Sequence, residues 1–506
     1  MSWCGRTATR RGERTFEMTV ARSRKFRDSL RDGRTVWFRG QRIDVSSHPA
    51  FAGTLSTIGK LFDMLDDPKV QQTVGFLPPG GERYVHSSFL VPTTRAELER
   101  RRVAFAHWAK ATHGVMSRLS DYARSLVTGW YAARDTLGRE SPHFREKIIA
   151  YYEQARDEDR VMTTALLDPQ IDRSRGLDDP DLADSVLRVV KETREGIVVR
   201  GAKMIATAAP YCHDFLIFPF HRVGEGQRHH AHALIVPANL PGLHIVCRES
   251  FAKEQADHYP LSARYDEMDA VLFFDDVLVP WERVLLYGDP EAVWKFRTNR
   301  TANALAFHQT VVRQLAKMEF VAGVAFAVAE AIGVHRFLHV QEKLGELITQ
   351  VETVKALLVA SEAGAERDGT GTMLPALALI ETARILGTKL YPRALEILQQ
   401  IGAGGFIQVP STLEDLWGPI AELAQRYFAG ASVGAEEKVR LFKLAWDVFG
   451  SELGSRHELY ERYYAGDPVR ASAALYLETD KRPYVQPVWE LLGVRDRTGR
   501  GPDLPD

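Results

Sequence analysis

The segment Gly196-Ile-Val-Val-Arg-Gly-Ala-Lys-Met-Ile-Ala-Thr207 is rich in β-branched and apolar residues and lies between two long regions of helical pattern. This composition predicts a strand, a turn and a second strand. Similar short runs follow, separated by turn residues, at Phe215–Phe218, His232–Val236, Leu243–Cys247 and, as the last strand, Ala270–Phe274. Together they predict a small antiparallel sheet or barrel in the middle of the chain, at residues 161–290.

Helical periodicity extends on both sides of this β-rich region. Before it, Arg95–His113 and Val115–Asp135 carry apolar residues at three- and four-residue spacing, which predicts a helical domain at residues 23–160. After it, four long stretches predict a four-helix bundle at residues 291–475. These stretches are Thr301–His335, Val340–Arg367, Pro375–Gly402 and Leu413–Phe449. Residues 1–22 are expected to be a flexible leader, and residues 476–506 a C-terminal tail.

The predicted fold class is therefore α+β, with most of the chain helical. The order of a helical domain, a β domain and a helix bundle resembles the acyl-CoA dehydrogenase architecture, in which flavin lies between the sheet and the bundle. By itself, the order of elements is an analogy at the level of the fold.

Charge and cysteine content exclude several classes of function. The 65 Lys and Arg residues nearly balance the 66 Asp and Glu residues, so no overall field favours nucleic acid or an anionic membrane. Three cysteines without CxxC spacing argue against disulfides and zinc clusters, which fits a cytoplasmic protein. The longest apolar run, Phe320–Ala329, is about half the length of a membrane span. We therefore expect neither a nucleic-acid nor a membrane partner.

Missing motifs narrow the chemistry further. No GxGxxG follows a strand, so a nicotinamide cofactor is not expected to bind this chain. Neither GxSxG nor HExxH occurs, which argues against hydrolase and zinc peptidase sites. For His229, His230 and His232, a polar strand start is favoured over a metal site because alternation sends His229 to the opposite face. The sequence therefore predicts no metal.

The string Ser117-Arg-Leu-Ser-Asp-Tyr122 is the first candidate site. If the string is helical, Arg118 and Tyr122 share one face, because they are four residues apart. A cation beside a phenol could hold an anionic oxygen and hydrogen-bond a peroxide oxygen. An ordinary surface arginine packed on a half-buried tyrosine would give the same spacing.

This string and four others resemble the 4-hydroxyphenylacetate 3-hydroxylase family in sequence, order and approximate separation. The other four are residues 163–173, 196–207, 267–283 and 456–470. The string at 267–283 is nearly the family consensus. Much of it is explained structurally, because Asp275 and Asp276 can form turn hydrogen bonds and Pro280 fixes the chain as it leaves the sheet.

The resemblance implies specific site residues. Arg118 and Tyr122 would be catalytic. The substrate would contact Arg118, Tyr122, Thr164, Phe220 and His221. The flavin would contact Thr164, Ala165, Leu166, Leu167, Gln170, Ile171, Asp172, Arg173, Ala206, Thr207, Asp467, Pro468, Val469 and Arg470.

Thr164 departs from the family pattern, which usually has a histidine there that hydrogen-bonds the phenol oxygen. Threonine cannot act as an acid or base near neutral pH, so phenol activation must shift or weaken. His221 could recover part of this function, with a solvent-facing histidine as the alternative. An altered substrate is expected, such as a tyrosine-derived or halogenated phenol, either free or tethered to a carrier protein.

The activity implied by the resemblance is hydroxylation of a phenol ortho to its hydroxyl through a C4a-hydroperoxyflavin. It would use FAD as FADH2, dioxygen and a separate NAD(P)H:flavin reductase. Apolar bundle faces predict a homo-oligomer, by resemblance a tetramer. Two alternatives are an acyl-CoA dehydrogenase or dehydratase-like flavoprotein and a non-catalytic scaffold of the same fold.

Overall fold

The computed structural model describes residues 21–139, 141, 143–172, 174 and 185–493. Three expectations lie wholly or partly outside this range: most of the 1–22 leader, the flavin contact of Arg173, and the last part of the 476–506 tail. Within the described residues, none of the helices combines the length and the apolar character needed to cross a membrane.

The N-terminal region is mainly helical. Its helices begin at recognisable caps. One example is the capping box of Thr94 and Glu97, in which each side chain accepts a hydrogen bond from the other residue's backbone amide. The helices are α1 (Arg22–Ser29), α2 (Pro49–Asp63), α3 (Gln71–Val74), α4 (Arg95–Ala111), α5 (Ser120–Ala132), α6 (Arg134–Leu137) and α7 (Phe144–Asp157).

Two strands of this region belong to the main sheet, which the helical prediction for residues 23–160 missed. They are β1 (Thr35–Phe38) and β2 (Gln41–Ile43). Strand β1 runs parallel to a strand more than 200 residues later in the chain, with Val36 opposite Ile245. Such a distant pairing cannot be seen from a local pattern. A separate short pair, β3 (Gly75–Phe76) and β4 (Val85–His86), lies between helices.

The middle region forms two sheets instead of one. Its strands are β5 (Met162–Thr164), β6 (Arg188–Glu192), β7 (Gly196–Thr207), β8 (Asp214–Ile217), β9 (His232–Pro237), β10 (Leu243–Cys247), β11 (Asp269–Pro280) and β12 (Val284–Tyr287). The six-stranded sheet has the order β2-β1-β10-β11-β7-β6, and the four-stranded sheet has the order β12-β9-β8-β5. Most pairs are antiparallel, but β5 pairs with β8 in parallel. A short helix, α8 (Ser262–Tyr265), precedes β11.

Two strand predictions were wrong. Residues 196–207 form one strand instead of a strand, turn and strand, because positive φ angles at Gly201 and Ile205 are absorbed as irregularities while β7 stays paired to β11. Ala270–Phe274 is not the last strand. The register shift after Phe274 is a bulge that includes Asp275 and Asp276, so β11 continues to Pro280 and β12 follows. The two aspartates therefore lie within a strand and not in a terminal turn.

The C-terminal region is a helix bundle. It contains α9 (Pro290–Arg297), α10 (Arg300–Ala331), α11 (Leu338–Ala363), α12 (Leu377–Gly402), α13 (Ala421–Tyr427), α14 (Ala435–Phe449), α15 (Glu452–Tyr463), α16 (Pro468–Glu478) and α17 (Arg482–Leu491), with a short strand pair β13 (Glu366–Arg367) and β14 (Met373–Leu374). Three predicted bundle helices correspond to α10, α11 and α12. The fourth, 413–449, is broken into shorter helices, and α14 packs in its place through Phe442.

Candidate active site

Arg118 and Tyr122 lie together, as the sequence predicted. The guanidinium carbon of Arg118 is 4.4 Å from the centroid of the Tyr122 ring and 5.6 Å from that of Tyr460. Both side chains of the predicted pair are partly buried. Nη2 of the guanidinium also makes a long hydrogen bond to the carbonyl oxygen of Tyr464, at 3.5 Å. The cation therefore stacks on aromatic rings, and among the residues that the structure describes no carboxylate forms an ion pair with it.

The prediction that both residues share a helix face was wrong. Helix α5 begins at Ser120, and the residue before it, Leu119, has φ −54° and ψ 150°, which is outside the helical region. Arg118 therefore lies in the preceding turn. Its backbone amide donates to Oε1 of Glu267 at 2.5 Å. This bond to a distant carboxylate holds the turn in place, and the turn, instead of helical periodicity, brings the cation over the phenol.

A buried ion network anchors this turn to the sheet and the bundle. Arg456 of α15 donates to Glu267 Oε2 at 3.2 Å and to the two oxygens of Asp269 at 2.6 and 3.0 Å. Burial opposes ionisation of Asp269, but Arg456 and Arg248 outweigh it and hold the pKa of this carboxyl well below its usual range. The network joins the N-terminal region, strand β11 and the bundle at one point.

Thr207 belongs to the same network. Its hydroxyl donates to Oδ1 of Asp269 at 2.6 Å and accepts a longer bond from Arg456 at 3.4 Å. Thr207 and its neighbour Ala206 are both buried. The hydroxyl proton of Thr207 is thus donated to Asp269. The flavin contact predicted for Thr207 stays a prediction.

The segment predicted to wrap the flavin lies along the edge of β7. Thr164 ends β5 opposite Leu216, and Leu167 forms an isolated bridge with Met204. The carboxylate of Asp168 accepts from Lys203 Nζ at 2.5 Å, and the same amine donates to the carbonyl of Leu166 at 3.2 Å. Within this segment Ala165 is buried, Leu166 and Leu167 are partly buried, and Gln170, Ile171 and Asp172 are exposed. The segment thus offers an accessible, mixed polar and apolar strip.

His221, predicted to contact the substrate, and Arg470, predicted to contact the flavin, lie together although they are distant in the chain. Nη1 of Arg470 donates to Nδ1 of His221 at 3.1 Å, and the His221 ring lies edge-on to Phe220, with centroids 4.8 Å apart. Burial and the Arg470 charge lower the pKa of His221. His221 is therefore an acceptor for Arg470.

Arg470 is in the first turn of α16. This helix is capped by Asp467, whose carboxylate accepts from the amide of Val469 at 2.9 Å, and Pro468 is its first residue. The side chain of Arg470 is 70% exposed. An exposed cation beside a helix amino end suits a phosphate group.

Two functional candidates were missed from the sequence, Arg297 at the end of α9 and Arg384 in α12. Burial raises the pKa of the Tyr122 phenol, but the charges of Arg118, Arg384 and Arg297 outweigh it, so the net pKa is lowered. Helical periodicity alone would not find these arginines, because their shared target lies in the N-terminal region.

Family models match two adjoining stretches of the chain. Residues 22–286 match the family model described as 4-hydroxyphenylacetate 3-hydroxylase N terminal, and residues 294–493 match the model for its C terminal part. The chain is 40% identical to the 4-hydroxyphenylacetate 3-monooxygenase oxygenase component of Thermus thermophilus, over 89% of this chain and 92% of that protein.

A second relative acts on a tethered substrate by its name, (3S)-3-amino-3-(3-chloro-4-hydroxyphenyl)propanoyl-[peptidyl-carrier protein SgcC2] monooxygenase of Streptomyces globisporus. It is 32% identical over 90% of this chain and 86% of its own. A crystal structure of the oxygenase component HpaB complexed with FAD and 4-hydroxyphenylacetate superposes with a TM-score of 0.88 at 37% identity, covering 93% of this chain and 98% of that chain. The fold is acyl-CoA dehydrogenase-like, as predicted. The chain belongs to the 4-hydroxyphenylacetate 3-hydroxylase family.

Proposed function

We propose that this chain is the oxygenase component of a two-component aromatic monooxygenase. It hydroxylates a phenol ortho to the existing hydroxyl, using dioxygen and FADH2 supplied by a separate NAD(P)H:flavin reductase. The observation that carries the proposal is the Arg118 guanidinium stacked 4.4 Å over the Tyr122 ring, within a chain that matches this family along nearly its whole length.

The donors present fit FAD. Arg470 is an exposed cation beside the amino end of α16 and would hold the pyrophosphate. The accessible strip at residues 164–172 would contact the flavin ring and its ribityl chain, and the backbone at residues 206–207 would contact the edge of the ring. When bound, the reduced flavin activates dioxygen and supplies one oxygen atom to the substrate.

The chain's own residues prepare the phenol. The positive charges that lower the pKa of Tyr122 also act on a phenol placed beside it, and they favour its phenolate form. A phenolate is more nucleophilic at its ortho carbon than a neutral phenol. Arg118 holds the phenolate oxygen, and the Tyr122 hydroxyl hydrogen-bonds the oxygen that is being transferred. One oxygen atom ends in the catechol and the other in water.

With Thr164 in place of a histidine, activation of the phenol depends on the arginines. It can accept or donate one hydrogen bond but cannot take a proton near neutral pH. Electrostatic stabilisation of the phenolate therefore replaces imidazole chemistry at this position. A tyrosine-derived or halogenated phenol fits this change, since a halogen lowers the phenol's own pKa. The name of the Streptomyces globisporus relative gives a substrate bound to a carrier protein, so the substrate of this chain is either free or bound to a carrier.

The test is a coupled assay with purified protein, an independent flavin reductase, NADH and a panel of phenols under ¹⁸O₂. We expect catechol products carrying one ¹⁸O atom. Tyr122→Phe should lower kcat/KM about 10- to 100-fold, the effect of losing one hydrogen bond to a charged or developing charged group. Tyr463→Phe is the matched control because the Tyr463 side chain is exposed.

Other outcomes separate the alternatives. Oxygen uptake that yields only hydrogen peroxide with every phenol would count against the monooxygenase. Turnover of an acyl-CoA without oxygen uptake would support a dehydrogenase or dehydratase. Failure to bind reduced or oxidised FAD would support a non-catalytic scaffold.

A further inference from the structure

One face of α15 is directed at the turn that carries Arg118. Arg456, Tyr460 and Tyr464 are four residues apart, so they form a row along this helix and its C-cap. Arg456 binds Glu267, which accepts the Arg118 amide. The Tyr460 ring centroid lies 5.6 Å from the guanidinium carbon of Arg118, and the carbonyl of Tyr464 accepts from its Nη2 at 3.5 Å. The bundle therefore meets the active-site turn along this row of residues.

Tyr460 contacts both the backbone and the side chain of the turn. Its hydroxyl donates to the carbonyl of Ser117 at 3.5 Å, and its ring lies beside the Arg118 guanidinium. Two more guanidinium carbons lie near the same ring, that of Arg456 at 5.1 Å and that of Arg313 at 5.8 Å. Because the face of an aromatic ring attracts cations, the Tyr460 ring partly offsets the repulsion among these three positive charges.

The Tyr460 ring is itself fixed in place. It stacks on the Tyr464 ring, with the two centroids 5.7 Å apart and an angle of 17° between the ring planes. The hydroxyl of Tyr464 donates to Oε1 of Gln314 on α10 at 2.8 Å. Burial raises the pKa of Tyr460 to about 12, so the side chain is a neutral phenol near neutral pH. Tyr460 therefore presents an uncharged, well-supported ring to Arg118.

Contact with a ring leaves the charge of Arg118 available to a ligand. A carboxylate partner would neutralise a guanidinium and use its N–H donors, whereas an aromatic ring attracts the cation without accepting those hydrogen bonds. Of the three arginines around Tyr460, Arg313 and Arg456 each form an ion pair with a carboxylate. Arg118 forms none within the described part of the chain. The ring of Tyr460 thus has its largest consequence for Arg118.

We propose that Tyr460 is a positioning residue, whose ring holds the Arg118 guanidinium beside Tyr122 without using its hydrogen-bond donors. The inference rests on the proposed function, in which Arg118 holds the phenolate oxygen. The Tyr122 ring lies closer to the same guanidinium, at 4.4 Å, but its hydroxyl also takes part in the proposed reaction. Tyr460 acts only through Arg118. Without its ring, the guanidinium would be less well placed for the phenolate.

The experiment is a double-mutant cycle in the coupled assay, with Tyr460→Leu made alone and together with Arg118→Met. Tyr460→Leu should lower kcat/KM for catechol formation about 2- to 30-fold, the range for loss of a cation–aromatic contact. Tyr460→Phe keeps the ring and loses only a long hydrogen bond, so it should stay within about 2-fold of wild type. In the Arg118→Met background, Tyr460→Leu should have no further effect, because the ring then has no guanidinium to hold.

A crystal structure of Tyr460→Leu gives a second measurement that does not depend on turnover. In this variant the Arg118 guanidinium should leave its place 4.4 Å from the centroid of the Tyr122 ring. Tyr391→Leu is the matched control, because its buried ring lies 4.6 Å from Nζ of a different cation, Lys317. Per folded molecule, the control should keep the wild-type kcat/KM and the wild-type position of Arg118.

Three results would overturn the inference. They are an equal loss of kcat/KM in Tyr460→Leu and Tyr391→Leu, an equal effect of Tyr460→Leu with and without Arg118, and an unmoved Arg118 in the crystal structure of Tyr460→Leu. Absence of catechol from every phenol, with the wild-type protein folded, would instead overturn the proposed function.

Discussion

Asp269 and Arg456 form a two-point ion pair, with nitrogen–oxygen distances of 2.6 and 3.0 Å, between the main sheet and the helix bundle. The Asp269 side chain is 17% exposed and that of Arg456 is 10% exposed. Removing one partner leaves a largely buried charge without compensation. We expect Arg456→Met to destabilise the protein by about 3–5 kcal/mol.

Thermal and urea unfolding of Arg456→Met measure this loss. Arg462→Met is the control. Arg462 lies six residues after Arg456 on the same helix, and the change breaks its surface ion pair with Glu458. The control should cost about 0–1 kcal/mol. Equal stability of the two variants would show that the network does not anchor the turn of Arg118.

Thr164→His should restore an imidazole acid–base group beside the phenol position. General acid–base catalysis raises reaction rates about 10²–10⁴-fold. In the proposed mechanism the arginines already supply part of this rate enhancement by stabilising the phenolate. We expect kcat with 4-hydroxyphenylacetate to rise about 10-fold or more and to gain a pH dependence near pH 6.5. The measurement is a pH–rate profile of both proteins, with Thr164→Ser as the hydroxyl-conserving control. An unchanged profile would place residue 164 away from the reacting phenol.

The sequence predicted the order of the three regions because each has its own periodicity. Helical spacing marked Arg95–His113 and the three long bundle helices to within a few residues. Pairings between distant segments could not be predicted in this way. Strand β1 joins the middle sheet through Val36 and Ile245, and no local pattern reports such a partner.

The same limit applies to the site. Spacing correctly brought Arg118 and Tyr122 together, but for the wrong reason, because Glu267 fixes a turn where a helix was expected. Arg297 and Arg384 carry no motif, and their effect on the pKa of Tyr122 follows from tertiary packing that no local pattern reports. The roles predicted for the flavin contacts remain predictions.

Acid should destabilise the fold through buried histidines. Burial holds the pKa values of His86 and His457 well below 6.5. Both stay neutral in the folded protein while the unfolded chain takes up protons below pH 6.5, so stability is present above that pH and is lost as the pH falls. Each of the two histidines should lower the free energy of unfolding by about 1.4 kcal/mol at pH 5.5.

Unfolding of the wild-type protein and His457→Met at pH 7.5 and 5.5 checks this expectation. The difference between the two pH values should be smaller in the variant. His143→Met is the control, because His143 is exposed. An identical pH difference in wild type and His457→Met would refute the assignment.

The helices α16 and α17 have no buried residues, so they lack a core of their own within one chain. Their exposed apolar side chains include Tyr476, Tyr484 and Leu491, which is 87% exposed. We expect these surfaces to pack in a homotetramer, with a mass by light scattering of four times 56.9 kDa. Tyr484→Glu with Leu491→Glu should give smaller species, whereas Tyr427→Glu on α13 should not. A wild-type monomer would contradict the prediction.

The bond from the Arg118 amide to Glu267, and from Glu267 to Arg456, makes the active-site turn depend on both halves of the chain. This has a consequence for recombining family members. A chimera that joins residues 22–286 of this protein to the second half of a relative will keep its substrate geometry only if the incoming half supplies an arginine at position 456. Compatibility of exchanged halves therefore depends on one buried carboxylate, Glu267, and on the arginine that the other half supplies to it.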